Sequence, residues 1–473
     1  MATIYGANTL STGYDVANSL RFDDGSSDYL NRTPGSAGNR KTFTISLWIK
    51  RANLVDSRLI SCYSANSDTG NFELDFNNDT FRYVAWDTNF RVTNRLFRDT
   101  SAWYHIVTAV DTTDSTAGDR IKIYVNGVQE TSFSSSSNPS QNFDTGFNQA
   151  STTRIGIASN STNGPFDGYM AEVVFIDGQA LAPTSFGEFD SNSPTIWKPK
   201  DVSGLTFGTN GFYLEFKQSG TSQNSSGLGA DTSGNDNHFA VNNLTAVDQT
   251  TDTCTNNYTT MNPLQNYFGA QTYSEGNLKS VSPSGNAAAP SNTFGVSNGR
   301  WYAEAKLTNQ SSDQSLIGIS SNLANDTDYH LGKGATSYGM YSSNGNYYVN
   351  NGSAQSYGTS YTTNDIIGIY IDLTSNKLYM SKNGTVMNSG TGISITDPAS
   401  TQLKAYFFSG MQWDNSGTCT WEWNFGAGTT YAISSSNADD NGYGNFEYSP
   451  NITGDGAAKS FYALNTKNLA EFG

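Results

Sequence analysis

The sequence predicts an all-β protein made of two β-sandwiches in succession, joined by a turn-rich connector. Three observations carry that prediction. Aromatic residues reach 13% while charged residues stop at 14%, and the remaining polarity comes from Ser, Thr, Asn and 46 Gly, a mixture suited to short strands and tight turns. Apolar residues recur with a period of two, and between residues 20 and 190 no stretch holds a helical period. Asn-Gly pairs, which accept positive φ at both central turn positions, punctuate the apolar runs. At 473 residues the chain also exceeds one ordinary core.

Residues 20–190 supply the first sandwich. In "TFTISLWIKR", Ile45, Leu47 and Ile49 share one face, and Ser46, Trp48 and Lys50 the other. "AWYHIVTAVD" follows, then "DRIKIYVNGVQ", with Ile121, Ile123 and Val125 inward ahead of an Asn126-Gly127 hairpin turn. "GPFDGYMAEVVFIDGQAL" closes the set with an Asp177-Gly178 turn. Residues 1–19 read as an N-terminal attachment segment. Residues 191–264 read as the connector, holding one apolar strand, Phe212 to Phe216, amid turn chemistry. The second sandwich spans residues 265–450. In "GRWYAEAKLTN", Trp301, Ala303, Ala305 and Leu307 oppose Tyr302, Glu304 and Lys306. Asp365 to Leu373 is apolar enough for a strand buried on both faces, and Lys377 to Gly384 runs into a second Asn-Gly turn. Residues 451–473 form a tail.

The net charge of -16, from 26 basic and 42 acidic residues, would repel a phosphate backbone and argues against nucleic-acid binding. Cys62, Cys254 and Cys419 are too few and too scattered for a disulfide framework or a metal cluster, and read as small buried hydrophobes. The start has no basic and apolar export signal, and no segment approaches the length of a membrane span. The expectation is cytoplasmic synthesis without a signal peptide and no membrane insertion.

Taken in order, "ISLWIKR", "WYHIVTAVD", "IKIYVNG" and "FDGYMAEVVFIDGQALAPTSF" resemble a laminin-G/pentraxin-type, concanavalin-like jelly roll. Ala171 stands where such domains often carry an acidic residue, so their calcium coordination does not transfer by resemblance. "GRWYAEAKLTN", "SLIGISS", "NDIIGIYIDLTSNKLYMSKNGTV" and "WEWNFG" resemble a SPRY domain, over about Gly299 to Gly426. "DTSGNDNHFAVNNL" running into "TNNYTTMNPL" resembles segments of tailed-bacteriophage structural proteins, especially marine ones.

Candidate sites follow from residue character. "NFELDFNND" places Glu73, Asp75 and Asn77 on one strand face. A retaining glycosidase would need a second glutamate at position 77 or 78, where this chain has Asn77 and Asn78, and an amide moves no proton. No catalytic residue is assigned. Asp75, Asn77, Trp86 and Asp87 are candidate ligand-binding residues, offering hydrogen bonds beside an aromatic surface. Tyr347 and Tyr348, in an aromatic loop region, either form a recognition surface or pack the sandwich. His105 in "WYHIV" reads as a core residue, and no histidine has a nucleophile motif beside it. The Asp-rich runs "NSDTGNFELDFNND" and "NLANDTDYH" lack EF-hand spacing. No cofactor is assigned, and calcium is left open.

The resemblances together imply a non-enzymatic virion protein on the particle exterior, a tail or head fibre or a capsid decoration, adhering to host-surface glycan or protein. Its partners would be other virion proteins and further copies of itself, trimeric by analogy. The alternatives are an architectural bridge between capsid or tail subunits, and a carbohydrate-active enzyme or its binding module.

Overall fold

The computed structural model describes residues 13–265, 270–283, 289–322, 330–413 and 417–473. Residues 1–12 of the expected attachment segment and 323–329 of the second Asp-rich run lie outside them. The chain is all-β, with a single α-helix among the described residues, Thr466–Phe472. It divides into two units, one ending at Asn257 and the other beginning at Tyr258.

The first unit is a sandwich of two eight-stranded sheets. One is centred on Thr42–Arg51, paired antiparallel with Tyr104–Asp111 and with Gly168–Asp177. The other is centred on Asn71–Asn77, between Ser57–Tyr63 and Thr80–Val84. Alternation selects the core. Ile45, Leu47 and Ile49 from one sheet face Phe72, Leu74 and Phe76 from the other, as a period of two requires. Asn126 and Gly127 adopt φ of 47° and 78°, the backbone that the Asn-Gly turn predicts.

The outer face of the first sheet is buried as well. Trp48, Trp103, Tyr169 and Trp197 form one cluster on it, and Val174, Phe207 and Tyr213 belong to another. The cover is the chain after residue 190, expected as a connector. It adds Phe212–Leu214 to the Gly168–Asp177 strand, Gln249–Thr250 to Ser19–Phe22, and Ala240–Asn242 to the second sheet. This corrects the boundary. The segment escapes detection because polar side chains bonded to backbone hold it, with little apolar periodicity: Asp231 accepts from the amides of Tyr213 (2.8 Å), Ser233 (2.9 Å) and Asn237 (2.8 Å).

Two buried ion pairs fasten the end of this cover. Lys50 Nζ lies 2.7 Å from Asp252 Oδ2 and also donates to Asn257 Oδ1 at 2.8 Å, while Arg21 meets Asp248 at 2.8 Å. Trp103 Nε1 donates to the second Asp252 oxygen at 3.1 Å. His105 is core, stacked on Trp48 with centroids 4.6 Å apart. Its Nδ1 accepts from Trp197 Nε1 at 2.9 Å, which leaves Nε2–H to donate to Ser46 Oγ at 2.8 Å. Burial pulls its pKa down to about 3, so the ring stays neutral at physiological pH.

The second unit sandwiches a nine-stranded sheet, centred on Arg300–Gln310 and Ile366–Asp372, against four strands. Trp301, Ala303, Ala305 and Leu307 meet Ile317, Ile319 and Met340 in its core. Ile366–Asp372 is buried on both faces as expected. Ile367, Ile369 and Ile371 point into the core, and Tyr370 packs into a second cluster with Tyr302, Phe446 and Phe461. The tail supplies that second layer. Tyr462–Ala463 pairs in parallel with Arg300–Gln310, and Glu304, fully buried, accepts from the amides of Glu447 (2.9 Å) and Tyr448 (2.7 Å), from Tyr302 Oη (2.8 Å) and from Asn424 Nδ2 (3.3 Å).

Removing one member of a buried ion pair strands the other charge, so Asp252→Ala is expected to lower stability by about 3–5 kcal/mol. The Lys50→Met/Asp252→Leu double variant, with neither charge left, is expected to lose far less; urea unfolding of both checks this.

Glu172 sets a pH dependence. It occupies a bulge in Gly168–Asp177 with φ of 49°, and its Oε2 accepts from Tyr14 Oη at 3.2 Å and from Tyr213 Oη. Burial raises its pKa to about 7, reinforced by Glu215. The fold therefore binds a proton there that the unfolded chain, near the ordinary glutamate value, has lost. That contribution is whole below the unfolded pKa and fades as pH rises to about 7, amounting to about 3 kcal/mol at most. Thermal unfolding at pH 5 and 7.5 should show stability falling toward the higher pH, and Glu172→Gln should shrink the difference, leaving the part carried by Glu304, whose pKa burial also raises to about 7.

Candidate functional site

The candidate surface of the first unit is the outer face of the sheet built on Asn71–Asn77. With Phe72, Leu74 and Phe76 inward, Glu73, Asp75 and Asn77 share the opposite face, as the alternation predicts. Antiparallel register sets Arg58 and Arg82 on either side of Asp75. Arg82 holds both carboxylate oxygens, Nε to Oδ1 at 2.8 Å and Nη2 to Oδ2 at 2.6 Å, and Arg58 Nε reaches Glu73 Oε2 at 3.1 Å. Burial alone would lower the Arg82 pKa, but the hydrogen bonds it donates to Asp75 hold it above its ordinary value. The two acids and two guanidiniums form a closed ladder of charge, which leaves no carboxylate poised as an isolated acid or nucleophile.

Asp75 is therefore corrected from ligand residue to structural ion-pair partner: it is fully buried and Arg82 occupies both its oxygens. Asn77 belongs to the hairpin turn, where Asn78 and Asp79 have φ of 47° and 64°, and its Nδ2 donates to Asp56 Oδ2 at 2.6 Å. Trp86 and Asp87 lie toward the other end of the sheet. Tyr63, beside Trp86, pairs in register with Asn71, six residues and about 20 Å along the strand from Asn77. The four residues expected as one site are split.

The Trp86 end forms a rim. Trp86 is 41% exposed, with the Tyr63 ring 6.2 Å away and tilted by 51°. The turn is pinned from beneath, since Asp68 accepts from the amide of Asp87 at 2.8 Å and from the Thr88 hydroxyl, and Asn66 accepts from Tyr63 Oη. Asp87 remains exposed. Tyr63, Asn66 and Asp68 were not among the expected residues. Their signal is the turn-rich run "YSANSDTG", which lies beside Trp86 only once the strands pair.

In the second unit Tyr347–Tyr348 is a short edge strand on Ser337–Tyr341. Alternation sends the two rings apart. Tyr347 packs on the core, edge-on to Tyr357 at 6.2 Å. Tyr348 joins Tyr341 (5.9 Å) and Trp413 (5.3 Å), and His330 lies 4.8 Å from Trp413. Both tyrosines are half-buried. Among the described residues, no group of three or more His, Cys, Asp or Glu side chains is placed to hold a metal ion.

Residues 24–184 match the concanavalin A-like lectin/glucanases superfamily, in its laminin-G-like branch, and residues 300–422 match the SPRY domain. The chain carries a laminin-G-like domain and a SPRY domain. Mouse Ran-binding protein 9 is 30% identical over 105 residues, which are 21% of this chain and 14% of that protein, so the match spans about a seventh of the relative. Among solved structures, the chain is similar to a heptameric SAP-like pentraxin from Limulus polyphemus, at 18% identity and a TM-score of 0.27 over 36% of this chain and 80% of that one. It is also similar to the SPRY domain of human HERC1, at 14% identity and a TM-score of 0.25 over 33% and 90%. The two domains fit a binding role.

The charge ladder of the laminin-G-like domain has a testable cost. Arg82→Ala leaves Asp75 buried without its bidentate partner and is expected to lower stability by about 3 kcal/mol. Adding Asp75→Asn should restore part of that loss in the same urea titration.

Proposed function

We propose that the chain is a non-enzymatic adhesion protein on the exterior of a tailed-phage particle, binding host-surface glycan through the Trp86 rim of its laminin-G-like domain. The observation that carries the reading is the contrast between two groups on one domain. The carboxylates of Glu73 and Asp75 are both held by arginines, whereas Trp86, the residue suited to stacking on a sugar face, projects 41% exposed from a braced turn beside Tyr63 and Asp87. An exposed indole on a pinned turn offers contact area at small entropic cost, and nearby polar groups orient the ligand.

Support for the particle context comes from the sequence, in the "DTSGNDNHFAVNNL" and "TNNYTTMNPL" segments and their resemblance to phage structural proteins. Other virion proteins and further copies of the chain are the proposed partners. Many copies would turn weak single-site contacts into avidity.

Trp86→Ala is expected to leave the unfolding midpoint unchanged, because exposed surface substitutions have small effects, and to reduce adhesion to host cells at least tenfold in a pull-down with the purified chain. Cryo-electron microscopy of the particle should place Trp86 facing outward. Density that buries the rim between capsid or tail subunits would replace adhesion with an architectural bridge.

A further inference from the structure

We propose that the SPRY domain holds a second ligand site, a cleft for a neutral saccharide between the Gly358 loop and the hairpin joining Lys377–Lys382 to Thr385–Val386. The ligand class rests on the adhesive reading above; the site itself does not involve the Trp86 rim.

The cleft encloses about 490 Å³, within the range of small-molecule sites. Its floor is apolar and fixed. Tyr357 and Met387 are 5% and 6% exposed, with Val386 half-buried beside them. The Tyr357 hydroxyl accepts from the Met380 amide at 3.1 Å, and Tyr347 braces its ring edge-on. Gly358 presses the loop onto that floor, since a Cβ there would come within 2.3 Å of the Met387 sulfur.

The rim is made of exposed hydroxyls and an amide, from Thr359, Thr385 and Asn388, groups that both donate and accept, whereas the Asn383 amide is already engaged, its Nδ2 donating to Asp365 Oδ1 at 2.7 Å and its Oδ1 accepting from the Ile366 amide at 2.9 Å. The hairpin turn that presents Thr385 is set by φ of 49° at Asn383 and 79° at Gly384.

Charge narrows the ligand class. On a chain of net charge -16, the cleft is lined by no carboxylate. Its single cation, Lys382, is already bound by Asp365 Oδ2 and the Ser360 carbonyl, each at 2.9 Å. An anionic ligand meets no uncompensated charge. A pyranose matches both surfaces at once, its C–H face on the floor and its hydroxyls along the rim.

The test is isothermal titration of the full chain with the methyl glycosides of glucose, galactose and N-acetylglucosamine, repeated on three variants. Thr385→Trp places an indole over the cleft from an exposed position. Asn388→Asp adds a carboxylate to the rim while keeping a side chain tolerant of the φ of 52° found there. Trp86→Ala removes the other rim. The expected result is binding of at least one glycoside, weakened tenfold or more by Thr385→Trp and severalfold by Asn388→Asp, with a component that survives Trp86→Ala. Binding abolished by Trp86→Ala and untouched by both cleft variants overturns the proposal and leaves the adhesive reading standing. Adhesion to cells with no glycoside bound also overturns it, and binding of an acidic peptide in the cleft, competed by none of the glycosides, overturns the saccharide assignment.

Discussion

A Lys50 ammonium with 1% of its side chain exposed can exist only opposite a carboxylate, and the first unit is organised around that requirement. Taking each ion out of water costs several kcal/mol, and only close geometry with further hydrogen bonds offsets it. Asp252 meets the condition, taking Lys50 on one oxygen and Trp103 on the other, while its carbonyl accepts from Ser19 Oγ at 2.6 Å. The chain from 245 to 257 is thereby held over the outer face of the first sheet, with Arg21 and Asp248 repeating the device. The second unit solves the same problem with one acid. Glu304 gathers the backbone amides of Glu447 and Tyr448, just ahead of the tail, and the tail then helps to cover Tyr302, Tyr370 and Tyr379.

These covers divide the parts of the molecule that are legible in its sequence from those that are not. Strands with one face on a core announce themselves by period, and Ile45, Leu47 and Ile49 lie where alternation puts them. Asn126-Gly127 and Asn383-Gly384 turn as their chemistry requires. His105 is core because a polar ring inside an apolar strand needs two partners, and Ser46 and Trp197 supply them. The covers have no such period. They are held through Asp231, Asp248, Asp252 and Glu304, whose spacing in sequence bears no relation to the strands they fasten, so residues 191–264 read as a connector and residues from 451 as a tail.

For the candidate surface, residue character was legible in the sequence and spatial arrangement was not. Trp86 and Asp87 sit on an exposed turn, as residues of that character should. Asp75 was misplaced because its partner, Arg82, is visible only once Asn78 and Asp79 are recognised as a hairpin turn, which brings positions 75 and 82 into register. Tyr347 and Tyr348 are adjacent in sequence, and a strand sends adjacent side chains to opposite faces; one therefore serves the core and the other a surface aromatic cluster.

The covering segments also bear on where the chain can be cut without opening a core. The stretches that bear family likeness end at residues 184 and 422, yet the units close only at Asn257 and near the last residue. A recombination breakpoint at either likeness boundary would deliver a sheet with Trp48, Trp103 and Tyr169, or with Tyr302 and Tyr370, laid open to water. The segment that closes on itself is the longer one, which includes its cover.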